Sequence, residues 1–145
     1  NAEISDIICK DRESDLYQAE VTDLSSMVRL ADDNGNYTSV KLPFQAQLLP
    51  ILDIEVVDGS NETTPMVIIA GNIYDTEVET PRLDFHGGLI LKFSDKPPKG
   101  DIFDIARTIP YSADAKSIEL LRLSNSTINI CIGMNNGPVQ TFNMK

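Results

Sequence analysis

Apolar and polar residues alternate along this chain or gather in short β-branched runs, and no window of about eleven residues holds a helical period. That pattern predicts strands over residues 4–9, 16–21, 27–31, 37–42, 51–57, 66–70, 89–93, 102–106, 117–123, 128–132 and 139–144. Turn-forming clusters separate them: Asp32-Asp33-Asn34-Gly35-Asn36, Asp58-Gly59-Ser60-Asn61, Pro97-Pro98-Lys99-Gly100, Ser124-Asn125-Ser126 and Asn135-Asn136-Gly137-Pro138. The one segment with helical character, 48–53, is interrupted by Pro50, which cannot donate a backbone hydrogen bond.

A weak internal repeat shapes the fold expectation. Ile54-Glu55-Val56-Val57, a polar turn and Val67-Ile68-Ile69-Ala70-Gly71-Asn72 are echoed by Ile118-Glu119-Leu120-Leu121-Arg122-Leu123, a polar turn and Ile128-Asn129-Ile130-Cys131-Ile132-Gly133-Met134-Asn135. Each copy is a hairpin of two apolar strands followed by Gly and Asn, residues that tolerate a left-handed backbone. Two apolar strands followed by two more polar ones describe a propeller blade, with its inner strands buried between neighbouring blades. The expected fold is all-β: one domain over 3–145, with about three antiparallel four-stranded propeller-type blades at 3–43, 44–110 and 111–145, the last lacking a clear fourth strand. A β-sandwich is the alternative. Three blades cannot close a ring of about four to eight, so the remaining blades of a longer propeller or self-association should cover the end faces.

The same residues resemble a known family. Leu42-Pro43-Phe44-Gln45-Ala46-Gln47-Leu48-Leu49-Pro50, then Ala70-Gly71-Asn72-Ile73-Tyr74, Glu79-Thr80-Pro81-Arg82-Leu83-Asp84 and Gly88-Leu89-Ile90-Leu91, and lastly Asn135-Asn136-Gly137-Pro138-Val139-Gln140-Thr141-Phe142 are similar, in this order, to the carboxy-terminal part of bacterial FG-GAP/VCBS-repeat β-propeller proteins of the type associated with the ASPIC/UnbV module. The resemblance implies an extracytoplasmic location (periplasm, cell surface or secreted), a binding or scaffolding role and no catalytic residues. It also marks a departure. The family's repeats carry an acidic loop able to collect a hard cation such as Ca²⁺, whereas the loop here reads Asp58-Gly59-Ser60-Asn61-Glu62-Thr63-Thr64-Pro65, with two acids. No cofactor is expected, with calcium at this degenerate loop as the alternative that the resemblance leaves open.

Composition narrows the function further. Twenty-two acids against twelve bases give a formal charge of −10, which repels phosphate backbones, so nucleic acid is not an expected partner. Nine of the acids fall between Glu3 and Asp33, a stretch read as a solvated outer surface. The apolar runs fall far short of the ~20 residues of a membrane helix, so no transmembrane segment is expected. Asn1-Ala2 resembles the remnant of a cleaved expression tag, so any targeting segment is expected to have been removed. Cys9 and Cys131 read as two buried thiols acting as small hydrophobes, with a disulfide between them as the alternative. Asn36-Tyr37-Thr38, Asn61-Glu62-Thr63 and Asn125-Ser126-Thr127 match the glycosylation sequon, which carries little meaning in a bacterial protein.

Two loops carry candidate chemistry. Asp32-Asp33-Asn34-Gly35-Asn36 has alternating oxygen ligands, but its glycine stands fourth instead of sixth and no Glu closes it, so it reads as a hairpin turn with Gly35 at positive φ. Arg82-Leu83-Asp84-Phe85-His86-Gly87-Gly88 holds the lone histidine beside an acid, a base and two glycines, and strand alternation would place Arg82, Asp84 and His86 on one face. The candidate binding residues are therefore Arg82, Asp84 and His86, joined by Tyr74 and Asn72. No catalytic or metal-ligating residue is assigned, and no nucleophile elbow or phosphate-cradling loop is present. The expected function is a non-catalytic binding or scaffold module for a protein or glycan partner. The alternatives are a polysaccharide-acting enzyme using Arg82, Asp84 and His86, and a purely structural domain that completes a propeller.

Overall fold

Continuous apolar runs, as distinct from alternating ones, mark the two strands at the centre of this protein. In the computed structural model, which describes residues 17, 19–58, 64–94, 102–123 and 127–144, Met66-Val67-Ile68-Ile69-Ala70 and Gly87-Gly88-Leu89-Ile90-Leu91-Lys92-Phe93 are neighbouring strands buried on both faces. Strands covered on both sides need no polar face, which is why alternation disappears here.

Among the described residues the elements run β1 (Met27–Ala31), β2 (Tyr37–Lys41), α1 (Phe44–Gln47), β3 (Asp53–Val57), β4 (Met66–Ala70), β5 (Gly87–Phe93), β6 (Phe103–Pro110), β7 (Ala115–Arg122), β8 (Ile128–Met134) and β9 (Gln140–Met144). The protein is all-β apart from that one helical turn. Its strands form three antiparallel sheets, β1-β2, β3-β4-β5-β6 and β7-β8-β9, none of which closes on itself. Both copies of the sequence repeat form antiparallel hairpins, β3-β4 and β7-β8.

The four-stranded sheet lies between two apolar layers. On one face Ile68, Ala70, Ile90 and Ile109 pack with Ile118, Ile128, Ile130 and Ile132 of the three-stranded sheet. On the other, Ile69, Leu89, Leu91 and Phe103 pack with Ala46 and Leu49 of the α1 region, and Val28 of β1 and Leu42 join them. Alternation along β4 and β5 sends successive side chains to opposite layers. The Asp53 carboxylate ties β3 to β7 by accepting the Ile118 N–H at 2.7 Å.

The expectations need correction at four points. Residues 17 and 19–21, within the expected strand 16–21, form no strand, and among the described residues β2 is the one neighbour that pairs with β1. The expected strand 4–9, Cys9 and so any Cys9–Cys131 disulfide, and most of the turns at 59–63, 95–101 and 124–126 lie outside the described residues; Cys131 itself is a free, half-buried thiol. Burial centres on β4 and β5, where the repeat pointed to β3 and β4, because β3 is the sheet's edge strand and leaves Ile54 and Val56 exposed. The sheets hold two, four and three strands among the described residues, so the middle one alone has the expected four. The helical turn precedes the segment 48–53: it starts directly after Pro43, whose fixed φ suits a helix entry, and the Ala46 N–H donates to the Pro43 carbonyl at 2.9 Å. The turn at 32–36 closes as a hairpin, with Gly35 at φ 79° and Asp32 Oδ1 accepting the N–H groups of Asn34 and Asn36.

Candidate functional site

The connection from β4 to β5 begins at Gly71, whose missing side chain lets the chain pass against Pro50 and Leu52; a Cβ there would collide with the Pro50 carbonyl oxygen. Its N–H donates to the Tyr111 hydroxyl at 3.1 Å. Two residues on, Ile73 and Leu83 form an isolated antiparallel bridge, exchanging both N–H···O bonds at 2.9 Å. This bridge sets Tyr74 beside Arg82 and Asp84.

Asp84 is the hub, with 6% of its side chain exposed. Its Oδ2 accepts the Tyr74 hydroxyl at 2.7 Å and lies 3.5 Å from the Arg82 guanidinium, while Oδ1 accepts the His86 N–H at 2.9 Å. The His86 ring stands 3.6 Å from the same oxygen through Nδ1. Burial alone would raise the Asp84 pKa, but the hydrogen bonds from Tyr74 and His86 and the charges of His86 and Arg82 outweigh it and hold the carboxyl below the ordinary range. The Tyr74 phenol moves the opposite way, raised first by burial and then by its hydrogen bond to Asp84, so it stays a donor. Arg82 also lies 4.5 Å over the Tyr74 ring, a cation–π contact that fixes the guanidinium while its outer edge faces solvent.

Asn72 is fully buried and joins this loop to the start of the next sheet. Its Nδ2 donates to the Ala113 carbonyl at 2.8 Å, its Oδ1 accepts the Phe85 N–H at 3.2 Å, its own N–H donates to Ala115, and its carbonyl accepts Lys116 Nζ at 3.0 Å. Asp114 is a second buried carboxylate, 2.7 Å from Lys116 Nζ, accepting the Tyr74 N–H at 3.2 Å and Asn135 Nδ2 at 3.1 Å. Burial would raise its pKa, and those donors, with the Lys116 charge, more than offset this and lower it. Burial also pushes the neighbouring Tyr111 phenol up to about 12.

All five residues singled out in the sequence, Asn72, Tyr74, Arg82, Asp84 and His86, thus fall in one connected network. The extended-strand picture holds for Arg82 and Asp84 but stops at His86, which has φ 60° and a ring 71% exposed. A left-handed conformation is costly for a side chain with a Cβ, and here it is held by the carboxylate that grips the His86 N–H. Sequence reasoning missed Asp114, Lys116, Asn135 and Tyr111. Asn135, the counterpart of Asn72 in the repeat, offered a signal: both asparagines grip residues 113–115.

Chemically, the arrangement keeps two carboxylates ionised in a largely buried setting and presents two exposed donors, Arg82 and His86, beside one of them. Among the described residues, no group of three or more His, Cys, Asp or Glu is placed to hold a metal ion, and no helix is long and apolar enough to cross a membrane. Comparison with protein-family models, with curated proteins and with solved structures finds no match to this chain.

Proposed function

We propose that this chain is a non-catalytic, extracytoplasmic binding or scaffold module, formed by the carboxy-terminal blades of a repeat β-propeller, and that it recognises a protein or glycan partner through Arg82 and His86. The observation that carries the reading is the surface around Asp84: a buried, fully engaged carboxylate that holds the Arg82 guanidinium and the His86 backbone, with both side chains exposed beside it, suits recognition, since part of the ordering cost is met before binding. Both Asp84 oxygens already accept hydrogen bonds, which argues against a base free to take a substrate proton. The propeller reading is supported by the layering of the sheets, whose middle member is covered on both faces, and by the sequence resemblance. The remaining blades, or a second copy, would cover the outer faces.

A glycan array and a pull-down from the native envelope fraction, each with the parent chain and with Arg82→Ala/His86→Ala, test this. Arg82 and His86 also help hold Asp84 ionised, so the variant should melt a few degrees below the parent while keeping a cooperative transition. Binding should fall at least about tenfold, the loss of roughly one charge-assisted contact, with no product formed from any bound glycan. Unchanged binding, or turnover that vanishes in the variant, would refute the proposal.

A further inference from the structure

The layer between the four-stranded sheet and β1 is covered unevenly. Ile54 and Val56 of β3 are cross-strand partners of Ile69 and Val67 and share their face, yet they are 56% and 55% exposed. Beside them opens an apolar cavity of about 310 Å³, walled by Met27 and Val28 of β1 and, across from them, by Ile54, Val67, Ile69 and Leu91. The opposite face of β3 and β4 meets β7. β1 has no strand on its outer edge among the described residues.

That edge is open in a defined way. The Leu42 N–H donates to the Ser26 carbonyl and the Asp32 N–H to the Asn36 carbonyl, so the even-numbered residues of β1 bond toward β2. The N–H and C=O groups of Met27, Arg29 and Ala31 therefore point outward. Immediately upstream, Tyr17, Ala19 and Val21 alternate with Gln18, Glu20 and Thr22, the pattern of a strand with one apolar face. Tyr17 and Val21 are 94% and 70% exposed. The link to β1 is pinned: Asp23 Oδ1 accepts the Ser25 N–H at 2.9 Å, and Gln47 holds Ser26 by accepting its N–H at 2.8 Å and donating to its carbonyl at 3.0 Å.

We propose that this apolar face is a strand-binding surface and that residues 19–22 are its occupant, folding back along the free edge of β1 as an antiparallel strand. A loop of about four residues, Asp23 to Ser26, sets the register. It brings Thr22 opposite Met27, Val21 opposite Val28, Glu20 opposite Arg29 and Ala19 opposite Leu30. Val21 and Ala19 then join the half-buried face of Val28 and Leu30, and Glu20 meets Arg29 as a cross-strand pair of opposite charge. A slip of one residue would set Glu20 over Val28 and lose both features. Docked in this way, the segment extends the apolar layer beside Val28, which lines the cavity.

Residue-resolved amide hydrogen exchange on the full chain tests the docking. The Arg29 and Glu20 amides, which bond each other across the new pair, should exchange at least ~100-fold more slowly than free amides. The Val21 amide, on the outer edge, should stay fast. Val21→Asp changes an exposed position and should return Arg29 to fast exchange, whereas Val21→Ile should keep it slow. Fast exchange at Arg29 and Glu20 in the parent chain overturns the proposal. So does protection that Val21→Asp leaves unmoved, which means that another segment fills the surface. Protection that rises with protein concentration overturns it too, because the strand then comes from a second copy.

Discussion

Asp84 and Asp114 are two carboxylates through which this protein responds to acid. Both are buried, both accept several hydrogen bonds, and both have pKa values lowered in the folded chain relative to about 3.9 for an unfolded aspartate. The stability they contribute is therefore complete above the unfolded value and is lost as pH falls through the depressed folded ones. Urea midpoints should drop as the parent chain is taken below ~pH 4. Asp114→Asn should lose about 1–3 kcal/mol at pH 7 and show a flatter fall on acidification, read from urea melts at pH 7 and pH 3. A variant with the parent's full acid sensitivity would place the titrating group elsewhere. The sequence made Arg82 and Asp84 legible because their spacing is local, two residues apart along an extended segment. Asp114 was not legible: it sits among small residues, and its partner Tyr74 is 40 positions away.

At the scale of the elements, the loop that carries the site depends on one backbone approach. The Gly71 Cα lies so close to the Pro50 carbonyl that a methyl group must displace backbone. Gly71→Ala should cost roughly 3 kcal/mol or more, at the upper end of single substitutions, and differential scanning calorimetry should show a clear fall in Tm. A melting curve like that of the parent would mean that residues 50–52 give way easily. Local pattern located most strands, and 27–31 and 66–70 coincide with β1 and β4. It failed where a strand's existence depends on a neighbour: the 16–21 pattern is amphipathic, but among the described residues 17 and 19–21 pair with no strand. It also misjudged β3, since the apolar character of Ile54 and Val56 does not reveal that this strand lies at an edge. Tyr111 is similar, because its hydroxyl finds the Gly71 N–H through tertiary packing alone.

At the scale of the whole molecule, the central claim is that separate sheets stack face against face, so that the middle one is buried from both sides and the loop at its end is held against the beginning of the next. The sequence repeat carried this much, because two hairpins of like pattern imply two like sheets, each needing cover for its apolar face. It did not carry the contact between them. That contact is made where the Asp53 carboxylate of β3 accepts the Ile118 N–H of β7 at 2.7 Å, across 65 residues of chain. Amide exchange at Ile118, followed before and after Asp53→Ala, tests the stacking most directly. The stacked arrangement predicts a slowly exchanging Ile118 amide that speeds up by at least ~10-fold in the variant, the equivalent of about 1.4 kcal/mol. An Ile118 amide whose exchange is the same with and without the Asp53 carboxylate would contradict it.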